Sequence, residues 1–249
     1  MIILSFDTCF QACSVAVGSA LSAREIQSKL TPLASCYEPR QRGHAEAIVP
    51  LIEQVLHEGD VAASQVDAIA VTHGPGSFTG TRINVAAARA LGLALDAPIH
   101  ATTSLRVMGQ TAARKLDHES RSVRDGNRAI VVTVDARREA VYTLVCSPQG
   151  VGEDENVQLL SIDDAAQLAS QDGAIFVGSG ARTVCDRIKQ VGLPESFAHL
   201  PDLQPDALDL WHMAARGQVG LVDPVMPLYL RPADAKPQIG KSIERIKSN

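Results

Sequence analysis

No two cysteines in this chain are spaced Cys-x-x-Cys, and no two histidines stand three or four residues apart. The five cysteines (Cys9, Cys13, Cys36, Cys146, Cys185) are odd in number, which predicts buried thiols in a reducing compartment rather than a disulfide framework. Cys9 and Cys13 alone are too sparse for a zinc site. The seven histidines give no helical two-imidazole metal site. His44 opens a His-Ala-Glu run, but the place four residues on is Ile48, so a zincin-type protease lacks its ligands. A basic surplus is also missing. The formal net charge of −5 argues against a dedicated nucleic-acid binder, so any RNA contact is expected to be indirect. No apolar run reaches membrane-spanning length, and the opening MIILSFDT is shorter than a signal core and lacks a basic flank. The chain is therefore expected to be cytoplasmic and without a membrane contact. No Gly-Lys-Ser/Thr follows the glycines at 74–80, which excludes a Walker A loop, and Gly74-x-Gly76-x-x-x-Gly80 misses the dinucleotide spacing by one residue.

What is present is enough apolar material, 45% of 249 residues, for one large core or two smaller ones. The run IILSF at 2–6 ends at Asp7 and CSVAV follows at 13–17, which predicts an antiparallel hairpin with Asp7 at its turn. The pattern recurs. IVVTV at 130–134 ends at Asp135 and VYTLV follows at 141–145, so the second strand begins six residues after the Asp in both places. DAIAVTHGPG at 67–76 and GAIFVGSGAR at 173–182 match in the same order, each an apolar strand breaking into a glycine loop. Two ordered matches predict two related α/β lobes. Helices are expected over 44–60, with Pro50 either near the start or at a bend, and over 80–95, 163–173, 182–192 and 206–218. Loops are expected at 118–127 and 148–156, and a polar tail from Arg231 carries five basic residues.

The stretch HGPGSFTGTRINVAAARALGLAL at 73–95 carries the functional question. Its glycines let the backbone come close to something, Ser77 or Thr79 can cap the following helix, and free N–H groups there could take an anion. A strand-to-helix turn that needs glycine for its own sake explains the same residues. Asp7 and Asp135, at hairpin turns, would suit metal–phosphate chemistry, although Asp also simply favours turns. Asp7, Thr8, Gly74, Gly76, Ser77 and Thr79 are thus the candidates for an anion or nucleotide loop. The helix that follows has one charged residue, Arg89, between Val85 and Leu95. Such a helix predicts cover on two sides, either within the subunit or by a second chain over its small residues.

The segments ILSFDTCFQACSVAV, RGHAEAIVPLIEQVL, HGPGSFTGTRINVAAARALGLAL with TTSL, VDARREAVY and PLYLR, in this order, resemble the TsaB (YeaZ) family along essentially the whole chain. The resemblance implies the ASKHA (actin-like, Hsp70-like) fold, with two RNase H-like lobes of mixed sheets flanked by helices. Expected divisions are 1–105, 106–230 with the last helix free to pack back on the first lobe, and the tail 231–249. It implies a non-catalytic subunit that docks on and activates TsaD, which transfers a threonylcarbamoyl group to N6 of adenosine 37 in ANN-decoding tRNAs. TsaE would join a larger complex, and the chain would pair with itself when alone. TsaD holds its metal through His-x-x-x-His, and the matching stretch here, Ser104 to Met108, has neither histidine. No metal or cofactor is therefore expected, with ATP or ADP bound only weakly or at the partner interface. ASKHA kinases place Gly in an Asp-x-Gly turn where this chain has Cys9. The family's docking helices match about 44–57 and 80–95. This places His44, Ala47, Ile48, Leu51, Val55, Arg82, Val85, Ala86, Ala87, Arg89 and Ala90 at the interface with TsaD or a second copy. The alternative function is a weak actin-like ATPase acting alone, which would show as hydrolysis by the pure protein abolished in Asp7→Ala. The basic tail is expected to touch partner or RNA, so deletion of residues 232–249 should lower the activity of the assembled complex; unchanged activity would remove that role.

Overall fold

The computed structural model describes residues 1–20, 30–118, 128–147, 156–169 and 173–231. Most of both expected loops and the tail beyond Arg231 lie outside the described residues. In order the elements are β1 (Ile2–Asp7), β2 (Ala12–Ser19), β3 (Ala34–Pro39), α1 (His44–Glu58), β4 (Ala68–Thr72), α2 (Phe78–Leu95), β5 (Ile99–Thr102) and α3 (Ser104–His118). They continue with β6 (Ala129–Asp135), β7 (Ala140–Cys146), β8 (Gln158–Ser161), α4 (Ile162–Ala166), β9 (Ala174–Val177), α5 (Ala181–Val191), β10 (Phe197–His199), α6 (Ala207–Ala215) and β11 (Gly220–Leu221).

The same unit occurs twice. The first sheet has the order β11-β5-β4-β1-β2-β3 and the second β10-β9-β6-β7-β8. In each, an antiparallel three-strand meander is extended by two strands parallel to its first strand, and the first sheet ends in the short antiparallel β11. The two hairpins inferred from the sequence are β1–β2 and β6–β7, and Asp7 and Asp135 sit at their ends, opposite Ser14 and Val141.

Alternation along the strands sends different residues to each face. On the first sheet, Leu4, Phe6, Val15, Val17, Ile69 and Val71 face α1 and α2. The opposite face is made of smaller residues, among them Ala16, Ala68 and Ala70, and receives Leu210, Trp211 and Met213 of α6. Gly18 makes room for the indole, since a Cβ there would lie 2.5 Å from Trp211 Cζ2. On the second sheet, α4 and α5 cover Val131, Val141 and Phe176. Leu105, Met108, Ala112 and Leu116 of α3 cover Ile130, Val132, Leu144 and Val177 on the other face. The third helix of each unit is therefore exchanged: α3 leaves the first sheet to cover the second, and α6 leaves the second to cover the first. Where they meet, the Arg114 guanidinium makes a bidentate pair with Asp209 at 2.7 and 2.8 Å, with Asp206 at 3.7 Å.

α1 starts at His44 and continues through Pro50, whose ring is exposed, so of the two expectations the start near the proline does not hold. The helix expected over 163–173 is five residues of α-helix followed by a tight turn. Ser161 caps its start through Asp164 N–H at 3.0 Å, and the N–H groups of Gln167, Leu168 and Ala169 reach back three residues rather than four, which tightens and ends it. Residues 170–172 lie outside the described residues.

Asp209 is 2% exposed while Arg114 is 36% exposed. Arg114→Ala leaves the carboxylate without its bidentate partner. Discounted for the solvent reaching the guanidinium, the expected loss is about 2 kcal/mol, measured as a lower urea midpoint, with Arg114→Lys recovering part of it.

Candidate functional site

Two features converge on the first lobe: the junction between the β1–β2 turn and the glycine loop, and the outward face of α1 and α2. At the junction, three glycines are accounted for by close backbone approach. A Cβ at Gly80 would lie 2.3 Å from the Thr8 carbonyl oxygen, one at Gly76 2.5 Å from that of Cys9, and one at Gly74 2.9 Å from that of Leu228. Gly74 also has φ +109, which L side chains avoid. The loop lies flush on the hairpin turn, with Ser77 N–H donating to the Cys9 carbonyl at 2.8 Å. Ser77 is the cap of α2, its hydroxyl accepting from Gly80 N–H at 3.0 Å. Thr79, the other candidate cap, is exposed.

Beneath the junction is a buried polar network. The Asp7 carboxylate accepts from the Thr72 hydroxyl and from Cys9 N–H. Burial pushes its pKa up to about 6 from an ordinary 3.8, against the opposing effect of these hydrogen bonds. Asn84 donates to the Thr72 carbonyl at 2.7 Å, and Thr8 donates to the Gly80 carbonyl at 2.9 Å. The Cys9 thiol lies 3.1 Å from the Thr72 hydroxyl, and burial raises its pKa strongly. His44 Nε2 donates to the Phe10 carbonyl at 2.9 Å, and Gln204 accepts from Gln11 N–H at 2.8 Å, so the turn is held from several sides. The second lobe repeats the junction more openly. Gly178 and Gly180 pack against the end of β6, Gly180 N–H donates to the Thr133 carbonyl at 3.0 Å, and Asp135 is exposed.

Of the residues assigned to a docking face, Arg82, Ala86, Arg89 and Ala90 are exposed and Ala87 is half-buried. His44, Ala47, Ile48, Leu51, Val55 and Val85 are buried within the subunit, where all but His44 join the first core. The described residues do not cover α2 on two sides: Leu93, on its outward side, is 87% exposed, with Ala94 beside it. On α1 the exposed residues are Ala45, Glu46, Val49, Pro50, Glu53, Gln54, His57 and Glu58, so its outward side is mostly polar. Sequence reasoning missed Thr72, Asn84 and Tyr229. Asn84 carried a signal, since an amide in an apolar helix must find a partner. Tyr229 accepts from Arg82 Nε at 2.8 Å, and Arg82 also stacks 3.6 Å from the Phe78 ring centroid. At the start of α3, Ser104, Leu105 and Met108 are buried and offer no imidazole. Among the described residues no helix is long and apolar enough to cross a membrane.

Two repeated mixed sheets, each with a glycine loop pressed on its first hairpin and with their third helices exchanged, define an actin-like protein of the ASKHA fold. Residues 38–168 match the family described as TsaD, tRNA N6-adenosine threonylcarbamoyltransferase. The chain is 31% identical over 188 residues to the tRNA threonylcarbamoyladenosine biosynthesis protein TsaB of Haemophilus influenzae, covering 72% of each chain. With the Escherichia coli protein of the same name the identity is 27% over 240 residues, 93% of this chain and 95% of the relative. The solved structure of YeaZ from Pseudomonas aeruginosa superposes with a TM-score of 0.66 at 27% identity, over 92% of this chain and 99% of that one. The chain belongs to the TsaB (YeaZ) family.

The raised Asp7 pKa sets a pH dependence. The folded state holds this proton more tightly than the unfolded chain, so the group costs nothing below the unfolded value near 3.8 and destabilises increasingly as pH rises to about 6. Relative to Asp7→Asn, wild-type stability should fall by up to about 3 kcal/mol over this window and stay level above it. Parallel pH profiles of the two proteins' denaturation would expose any other source of the slope.

Proposed function

We propose that this chain is the non-catalytic subunit that docks on and activates TsaD for threonylcarbamoyl transfer to N6 of adenosine 37 in ANN-decoding tRNAs. The observation that carries the reading is the open outward side of α2, where Ala86, Ala90, Leu93 and Ala94 stand exposed together with Arg82 and Arg89. Exposed apolar residues on a helix rich in alanine allow close approach of another helix, and two chains of one fold can meet through the same surface by a two-fold or pseudo-two-fold operation. The match of residues 38–168 to the TsaD family supports such a pairing, because that span holds both α1 and α2. In this reading the first lobe, residues 1–105, docks, the second, 106–230, supports it, and TsaE joins the assembled pair. The tRNA is met through the complex. Alone, the chain pairs with itself over the same side.

The names of the Haemophilus influenzae and Escherichia coli relatives, both threonylcarbamoyladenosine biosynthesis proteins, support this reading. No observation favours an ATPase acting alone. Asp7 is buried and engaged by Thr72 and Cys9, and a phosphate brought to the glycine loop would meet the carbonyl oxygens of Thr8 and Cys9.

Light scattering after size-exclusion chromatography tests the reading. Mixed with its cognate TsaD, the wild type should give a one-to-one complex. Ala86→Glu and Ala90→Glu, which place carboxylates on the open side without touching the core, should abolish it while leaving each variant folded. A complex that survives both substitutions would move the interface elsewhere, and no complex with the wild type would end the docking reading.

A further inference from the structure

The chain from Val225 to Arg231 has no helix or strand, yet it is held at both lobes. Val225 is buried in the first core. The next residues lie along the glycine loop: Leu228 N–H donates to the His73 carbonyl at 2.7 Å, and His73 Nδ1 donates to the Met226 carbonyl at 3.2 Å. Gly74 is the residue that lets Leu228 come so close. Tyr229 is gripped by Arg82, and its ring lies 5.7 Å from that of Phe78. One residue further the chain is on the other lobe. Leu230 packs against the second core, and the Arg231 guanidinium donates to the Arg137 carbonyl at 3.1 Å.

That carbonyl belongs to the β6–β7 turn, where Arg137, Arg138 and Glu139 all have positive φ, at 62, 53 and 55°. Three successive non-glycine residues in the left-handed region persist only where surrounding contacts hold them. Arg231 supplies one such contact from outside the turn. A second crossing runs the opposite way, since Phe10, in the β1–β2 turn of the first lobe, also packs against the second core.

We propose that residues 225–231 are a strap that holds the two lobes in one closed arrangement. The first lobe grips its beginning and middle, the second lobe grips its end, and with Phe10 it ties the two hairpin turns to each other. Two lobes joined only at the exchanged helices would be free to rock about them, whereas a strap anchored on both makes the pair a single rigid body. The inference does not depend on the docking reading.

Pulsed dipolar spectroscopy on the full chain tests it, with spin labels at Glu53→Cys on α1 and Gln190→Cys on α5, both exposed positions, and with the doubly labelled chain diluted in excess unlabelled protein so that only distances within one chain are read. Cys36, the native thiol that is not buried, is replaced by serine in all samples. The wild-type strap should give one distance population. Leu230→Asp, and separately the double variant Tyr229→Phe/Arg231→Ala, should each add a longer-distance population at unchanged helix content. The double variant alters only groups near the surface and decides the matter if Leu230→Asp does not fold. A single unchanged population in the folded variants, or two populations already in the wild type, overturns the strap.

Discussion

The exchange of α3 and α6 is the constraint on which the rest of the molecule depends. Each helix is contributed by one half of the chain and completes the core of the other half, so neither sheet is covered on both faces without its neighbour. The Arg114–Asp209 pair stands where the two helices meet, and it fixes their relative position through a planar, two-pronged contact. Ser14 and Ser5 add to the same seam. Ser14 accepts from Ala207 N–H at 2.9 Å, and Ser5 donates to the Ala207 carbonyl at 2.7 Å, so the start of α6 is fastened to β1 and β2 by backbone groups that no apolar contact could satisfy.

Duplication gave the two lobes the same parts, and burial then separated them. The first hairpin turn is wrapped by α1, the glycine loop and residues near Gln204, and its Asp7 is buried. In the second, Asp135 is exposed and its carboxylate caps the Arg137 N–H at 2.7 Å. The same residue type at the same strand end is therefore part of a desolvated network in one lobe and a solvated turn-former in the other. In the first lobe, what the glycines accommodate is backbone, and the product of the close fit is a firmly seated α2 whose far side remains open.

Much of the fold was legible because it rests on local pattern. Strand runs ending in Asp, glycine after a strand, and helical spacing over 44–58 all survive as elements. The duplication was legible because the two hairpins kept their spacing. The helix exchange was not, because Leu105, Met108, Ala112 and Leu116 form an apolar stripe that says nothing about which sheet it will meet. On the two helices expected to dock, periodicity alone does not tell inward from outward, least of all on a helix that is apolar nearly all round. His44, Ala47, Ile48, Leu51, Val55 and Val85 turned inward, while Leu93 turned out. The strand pairings of β3, β8, β10 and β11 depend on partners far away in the chain, and their short runs carry little signal of their own.

Trp211 is the sole tryptophan of the chain, and it is fully buried where α6 lies against the alanine-lined face of the first sheet. Its emission is thus a reporter of one event, the seating of a helix from the second half on strands from the first. Local melting confined to α4, α5 and their strands would leave the indole in place and the signal unchanged, whereas withdrawal of α6 would expose it even with every strand still paired. An optical property of a single side chain follows directly from the way two halves of one chain complete each other.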